Sequence, residues 1–115
     1  MDNRINTGKK GEAMAVLFLK RIGFRIIALN WRYKKLEIDI IAEEQGILVF
    51  VEVKVRSSPS HGVPGDLIGV QKRDCLFRAA EAYISASEHT GEIRFDVITF
   101  IDNKLDYIKD AFWKY

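Results

Sequence analysis

The sequence predicts an α/β fold: residues 1–115 form a single domain, a mixed sheet flanked by helices in the order α-β-β-β-α-β-β. Three observations carry that reading. Residues 36–56, LEIDIIAEEQGILVFVEVKVR, alternate apolar and β-branched residues on either side of a turn, the pattern of two paired strands. Farther out on either side, up to about Arg21 and from Leu67 or Val70 to Ser87, apolar residues repeat at helical spacing. A strand, a helix and a second strand then follow one another, a succession that predicts a right-handed crossover into a parallel pair and so a sheet of mixed direction.

Residues 1 to 5 read as frayed, and a helix begins after Asn6 or Thr7, either of which caps it, and runs to about Arg21 with Gly23 as terminator. Glu12, Ala15, Val16 and Leu19 lie at i, i+3, i+4 and i+7, so Glu12 closes an apolar stripe aimed at the sheet. Gly8 and Gly11 permit close backbone approach at that end. Phe24 to Trp31 alternates as the first strand, with Phe24, Ile26, Ala28 and Asn30 on one side. Arg32, Tyr33, Lys34 and Lys35 make a basic connection with an aromatic inside it, a combination that contacts a phosphate backbone and a base or sugar together.

In the central pair, a four-residue loop from Glu43 to Gly46 sets Ala42 opposite Ile47, Asp39 opposite Phe50 and Glu37 opposite Glu52. Glu37, Asp39, Ile41, Leu48, Phe50, Glu52 and Lys54 then share one face. Ser57 to Gly65 is a long turn-rich loop placed to flank a groove, in which His61 is incidental. A helix starts at Leu67 or Val70 and ends at Ser87, with Gln71 in its first turn and Leu76, Ala80, Tyr83, Ile84 and Ser87 near one face. Gly91 breaks it; Ile93 to Ile101 is a strand, Asp102-Asn103 a turn, Lys104 to Ile108 a last strand, and Ala111 to Tyr115 an aromatic tail.

The formal charge is only +2, but residues 1–35 hold nine Lys and Arg against Asp2 and Glu12, which points to a polyanion partner, nucleic acid first. No apolar run approaches the roughly 18 residues of a membrane span, and the first twenty residues lack a signal-peptide pattern, so a cytoplasmic protein with no membrane association is expected. The single cysteine, Cys75, excludes an internal disulfide framework and a zinc-binding cysteine pair, and is expected to be a small buried apolar residue.

Carboxylates set side by side on a sheet repel, so Lys54 or a divalent cation is needed to compensate them. Asp39 and Glu52, with the Val53 carbonyl between Glu52 and Lys54, offer hard oxygen ligands to Mg²⁺ or Mn²⁺. Such an ion polarises a phosphodiester and acidifies a bound water, and Lys54 orients that water and balances the charge on phosphorus. Asp39, Glu52 and Lys54 are thus the candidate catalytic residues for phosphodiester hydrolysis.

Asp39, a turn and Glu52-Val53-Lys54 resemble the D…(D/E)xK signature of the restriction-endonuclease-like (PD-(D/E)xK) nucleases. Gly8-x-x-Gly11-Glu12-x-x-Ala15, Gly23-Phe24, Asn30-Trp31-Arg32, Glu37-Ile38-Asp39, Phe50-Val51-Glu52-Val53-Lys54-x-Arg56, Gln71-Lys72 and Arg94-Phe95-Asp96-Val97 resemble, in that order, the YraN family of small bacterial predicted endonucleases. That family is similar in fold to the archaeal Holliday-junction resolvases. By that resemblance Glu12 joins Asp39 and Glu52 as a metal ligand, and DNA, including branched DNA, is the expected substrate. Arg32, Lys34, Lys35, Arg56, Gln71 and Lys72 are the expected nucleic-acid contacts. Resolvases of this fold act as dimers, so the resemblance implies a homodimer, although no feature of the sequence itself carries it. One departure is Leu36, where the family usually has glycine; it adds bulk at the hairpin entry and removes no ligand. The competing expectations are a nucleic-acid-binding protein of nuclease fold with little or no turnover, and an adaptor in which Lys54 merely neutralises Glu52.

Overall fold

The strands follow the alternation of the sequence and the helices its longer period, giving α1 (Asn3–Arg21), β1 (Arg25–Tyr33), β2 (Leu36–Glu44), β3 (Ile47–Arg56), α2 (Val70–Ser87), β4 (Ile93–Ile101) and β5 (Lys104–Ile108). The computed structural model describes residues 3–56 and 68–113, with side chains from Lys9 onward. The expected loop from Ser57 to Gly65, His61 included, and the last two residues of the tail lie outside the described residues. The five strands form one sheet in the order β1-β2-β3-β4-β5, with β3 and β4 parallel and every other pair antiparallel. This is the α/β fold and the element order expected of a restriction-endonuclease-like domain.

Each face of the sheet buries its own apolar layer. Ala15 and Leu19 of α1 pack with Phe24, Ile40, Ala42, Val49, Val51, Ile98 and Phe100 on one side. On the other, Leu76, Phe77, Ala79 and Ala80 of α2 pack with Ile38, Ile41, Leu48, Phe50, Phe95 and Val97. Phe112 belongs to this second layer, so the tail is docked up to that residue, while Trp113 is exposed. Cys75 is half-buried rather than a core residue. Gly11 explains how closely α1 sits: a Cβ there would lie 2.6 Å from Val55 Cγ2 of β3, so only glycine lets the helix rest on the strand.

Four boundaries and alternations differ from the expectation. Helix α1 starts at Asn3, ahead of the expected caps Asn6 and Thr7. The β2–β3 turn is two residues, Gln45 and Gly46, both at positive φ (51° and 83°) as a type I′ hairpin demands, so Ala42 pairs with Val49 and Ile41 with Phe50. The glutamates at 43 and 44 are strand residues; Gly46 marks only the second half of the turn. A register shift between Ile26 and Ala28 marks a β-bulge that breaks the alternation of β1: Ile26 packs on the α1 side, Ile27 and Ala28 on the α2 side. Strand β1 also runs on through Arg32 and Tyr33, leaving Lys34 and Lys35 as the whole turn.

A buried polar network ties the far end of the sheet together. Arg94, nearly inaccessible, forms two bonds of 2.9 Å with the carboxylate of the fully buried Asp96 and one of 3.1 Å with Glu44. Tyr107 and the backbone N–H of Asp110 also donate to Asp96. This bidentate pairing holds the guanidinium charged far above any physiological pH, while burial and the adjacent Asp96 carboxylate keep the Tyr107 phenol protonated.

Candidate metal and nucleic-acid site

The site lies where β2 and β3 part company. Their ladder runs from Glu44 and Ile47 to Ile40 and Val51 and stops there. In its place the Val53 N–H donates to Asp39 Oδ2 at 2.9 Å. A strand residue sends its carbonyl out along the same edge as its own N–H, so the Val53 carbonyl also leaves β3 toward Asp39.

The face expected to hold all the acids is divided. Leu36, Ile38 and Ile41 belong to the α2-side layer and Ile40 to the α1-side layer, so the alternation of β2 slips next to Asp39. Glu37 and Asp39 turn to α1, where their carboxylates and that of Glu12 lie within 4.8 Å of one another. The stripe on α1 therefore does deliver Glu12 to the sheet. Glu52 stays on the α2 side with Lys72 Nζ 3.6 Å from its Oε2, and its carboxyl reaches Asp39 across the seam.

Asn30, at φ 50°, donates its amide nitrogen to Glu12 Oε2 at 3.4 Å, and the opposite orientation of the same amide lets it donate to both Glu12 Oε1 at 3.2 Å and Glu37 Oε1 at 3.0 Å. Arg32 adds an ion pair of 3.0 Å to Glu37. Neither Asn30 nor Glu37 stood out as a site residue from the sequence. The signal was there only as Glu37-x-Asp39 beside Asn30-Trp31-Arg32, and the misplaced hairpin register sent Glu37 toward Glu52 instead.

Burial and crowding set the electrostatics. Glu52 is 4% exposed, and burial, a hydrogen bond with Asp39 and the Asp39 charge push its pKa up to about 8; Lys72 and Lys54 pull it partly back. Glu12 is raised by burial and then by Asp39, with the Asn30 hydrogen bond opposing. Glu52 Oε2 and Thr99 Oγ1 are buried without a hydrogen-bond partner among the described residues, and Thr99 pairs in register with Lys54. Packed carboxylates, of which Glu12 and Glu52 resist ionisation, with one Glu52 oxygen left only the Lys72 ammonium at 3.6 Å, are a donor set that fits a hard divalent cation, which prefers all-oxygen ligands and relieves their repulsion.

The expected nucleic-acid contacts spread outward from this cluster. Lys54 is half-buried two residues beyond Glu52 on the same side of β3. Lys72 is engaged with Glu52, Gln71 is exposed beside it in the first turn of α2, and Arg56 at the end of β3 bonds the Val55 carbonyl at 3.0 Å. Lys34 and Lys35 stand exposed in the β1–β2 turn, Lys34 lying 5.3 Å from the centre of the Tyr33 ring. No helix among the described residues is long and apolar enough to cross a membrane.

Comparison with known proteins gives a consistent picture. Residues 11–100 match the family described as "Uncharacterised protein family UPF0102". The chain is 41% identical over 110 residues to a UPF0102 protein of Christiangramia forsetii, an alignment covering 92% of each chain. It is 40% identical over 112 residues to one of Flavobacterium psychrophilum, covering 94% of each. To one of Persephonella marina it is 39% identical over 106 residues, covering 91% of each.

Proposed function

The chain belongs to the UPF0102 family, which is the YraN family its motifs resemble, and on that footing we propose that it is a divalent-metal-dependent nuclease that hydrolyses DNA phosphodiesters. One observation carries the reading: Asp39 and the buried Glu52 meet across a seam where the sheet has given up its own hydrogen bonds, with Glu12 and Glu37 beside them. A structural sheet gains nothing from gathering acids there.

Asp39, Glu52, Glu12 and the Val53 carbonyl would hold Mg²⁺ or Mn²⁺, which when bound polarises the phosphodiester and lowers the pKa of a water. Lys54 supplies the positive charge that orients the attacking water and offsets the charge gathering on phosphorus. Arg32, Lys34 and Lys35 hold the strand by its phosphates, as the cationic front of the chain suggests. The resemblance to resolvases favours branched DNA as the substrate and two copies of the chain as the acting form.

The Lys72–Glu52 pair favours a second reading, a DNA-binding protein with little or no turnover. An acid already neutralised by its own proton and by a lysine leaves less need for a cation. A titration of Mg²⁺ and Mn²⁺ against labelled four-way junction, flap, single-stranded and duplex DNA, with Asp39→Ala alongside, separates the two. Cleavage that needs metal and vanishes in the variant supports the nuclease. Binding without cleavage in either metal supports the second reading.

A further inference from the structure

We infer that the groove between the β1–β2 turn and α2 is a subsite for an unpaired nucleotide of a single strand, its base stacked on Tyr33 and its flanking phosphates held by Lys34, Lys35 and Arg78. The inference rests on the nuclease reading and adds to it the conformation of the substrate.

The groove encloses about 740 Å³ and is lined by Tyr33, Lys34, Lys35 and Leu36 from the turn and by Arg78, Glu81, Ala82 and Ser85 from α2. Three cations face one carboxylate. Among the described residues neither Lys34 nor Lys35 has an ion pair, and the Arg78 pair with Asp74 is an exposed one at 3.8 Å that solvent weakens. Tyr33, 39% exposed, lies parallel to Trp31 at 6.5 Å with 7° between the planes, and Trp31 stands edge-on to Tyr83 at 5.3 Å. Tyr33 is thus the outer member of an aromatic series anchored in the α2-side layer, a ring held in place with the Lys34 ammonium 5.3 Å from its centre, which an incoming base displaces toward its own phosphate. A fixed aromatic face beside lysines is how proteins hold unpaired bases, because every base has a π-face and every link a phosphate.

The groove lies on the α2 side of the sheet, the side that carries Glu52. Leu36 is three residues from Asp39 on β2, about 10 Å along a strand. Arg78 is six residues from Lys72 on α2, about 9 Å along a helix. The strand that carries Asp39 and the helix that carries Lys72, the partner of Glu52, therefore both border the groove, so a nucleic-acid strand held there passes on the Glu52 side of the site. Paired bases could not use it, since stacking on Tyr33 needs a base whose face is free. An acidic peptide would satisfy the lysines but leave the Tyr33 ring without a flat partner.

The test is fluorescence anisotropy at fixed salt with EDTA, so that no cleavage intrudes, using a labelled oligothymidine, an RNA of the same length, a blunt duplex and polyglutamate. Tyr33→Ala is expected to weaken single-strand binding about tenfold or more, while Tyr33→Phe stays close to wild type and duplex binding hardly changes. Lys35→Ala, in an exposed turn, is expected to weaken the single strand severalfold without touching the fold. The tighter of the DNA and RNA probes identifies the sugar. Unchanged single-strand affinity in Tyr33→Ala, or an equal loss on duplex or polyglutamate, would overturn the subsite. Asp39→Ala keeps the single-strand affinity if the groove is the binder; a protein that binds single strands in this way and never cleaves with Mg²⁺ or Mn²⁺ retains the subsite and loses the nuclease reading.

Discussion

The Val53 N–H, two residues past the end of the β2–β3 ladder, donates to Asp39 Oδ2 across 2.9 Å. A side chain has taken over a hydrogen bond that a backbone carbonyl would normally accept. That exchange holds Asp39 at the seam, where it meets Glu12 and Glu37 on one side and Glu52 on the other. Asparagine can make the same bond without the charge. Asp39→Asn is therefore expected to fold, to melt higher than wild type at pH 9, and to lose metal-dependent cleavage by at least about 100-fold. Melting curves and single-turnover cleavage on the same preparations check it. A variant that cleaves at the wild-type rate would remove Asp39 from the chemistry.

Glu52 imposes a pH dependence on the metal-free protein. Its folded pKa is raised to about 8, above the 4.5 expected when the chain unfolds. Between those values it is protonated in the fold and ionised in the unfolded chain, so unfolding releases a proton. Stability is then fully present below about pH 4.5, is lost as pH rises through about 8, and is level beyond. The loss is on the order of 5 kcal/mol. In Glu52→Gln that component disappears, which denaturant titrations in EDTA from pH 4 to 9 would reveal as a flatter profile. Identical slopes in the two proteins would contradict the raised pKa. Added Mg²⁺ should stabilise the wild type more at pH 8 than at pH 5, because the cation competes with the proton for the same oxygens.

Gly11→Ala sets helix propensity against contact. Alanine is the better helix former by roughly 1 kcal/mol, yet its Cβ would fall 2.6 Å from Val55 Cγ2, on a stiff, branched, half-buried side chain. The overpacking should win and destabilise the protein by about 1–3 kcal/mol. Val55→Ala in the same chain should recover most of the loss, a coupling that a double-mutant cycle measures directly. Because Glu12 is the next residue, cleavage in Gly11→Ala is expected to fall by more than its stability explains.

Arg94→Met strands the fully buried Asp96 carboxylate and should cost about 3–5 kcal/mol by urea denaturation. Adding Asp96→Asn removes the stranded charge and should restore a large part of it. Additive losses in the double variant would show that the two residues act independently.

The helices, the five strands and the parallel β3–β4 pairing were legible in the sequence because each depends on one period of apolar residues, and that period is unbroken in α2, β3 and β4. The turn at Gln45-Gly46 was not, because glutamine at positive φ is uncommon and the preceding glutamates carry little strand preference. A two-residue error there leaves every side chain on its expected face of β3 yet moves each cross-strand partner along by two, which hid the approach of Asp39 to Glu52. The turning of Glu37 and Asp39 toward α1 was beyond pattern reading, since it arises from a local slip in β2 beside Asn30, itself at φ 50°. Glu12 was found because the spacing of Ala15, Val16 and Leu19 points it inward whatever the sheet does. The Arg94–Asp96 pair was visible only as a motif; its burial depends on Tyr107 and Glu44, which come from strands far apart in the chain.

The bulge between Ile26 and Ala28 has a consequence for the protein's behaviour among its own copies. Strand β1 is the open margin of the sheet, nine residues long, with Leu29 half-exposed. A straight margin of that length invites another molecule to add a strand, the first step toward a fibril. The bulge bends the strand and throws its hydrogen-bonding groups out of step, so a second chain cannot follow it for its whole length. Deleting Ile27 would smooth that margin, and the resulting protein should precipitate on concentration before it shows any other defect.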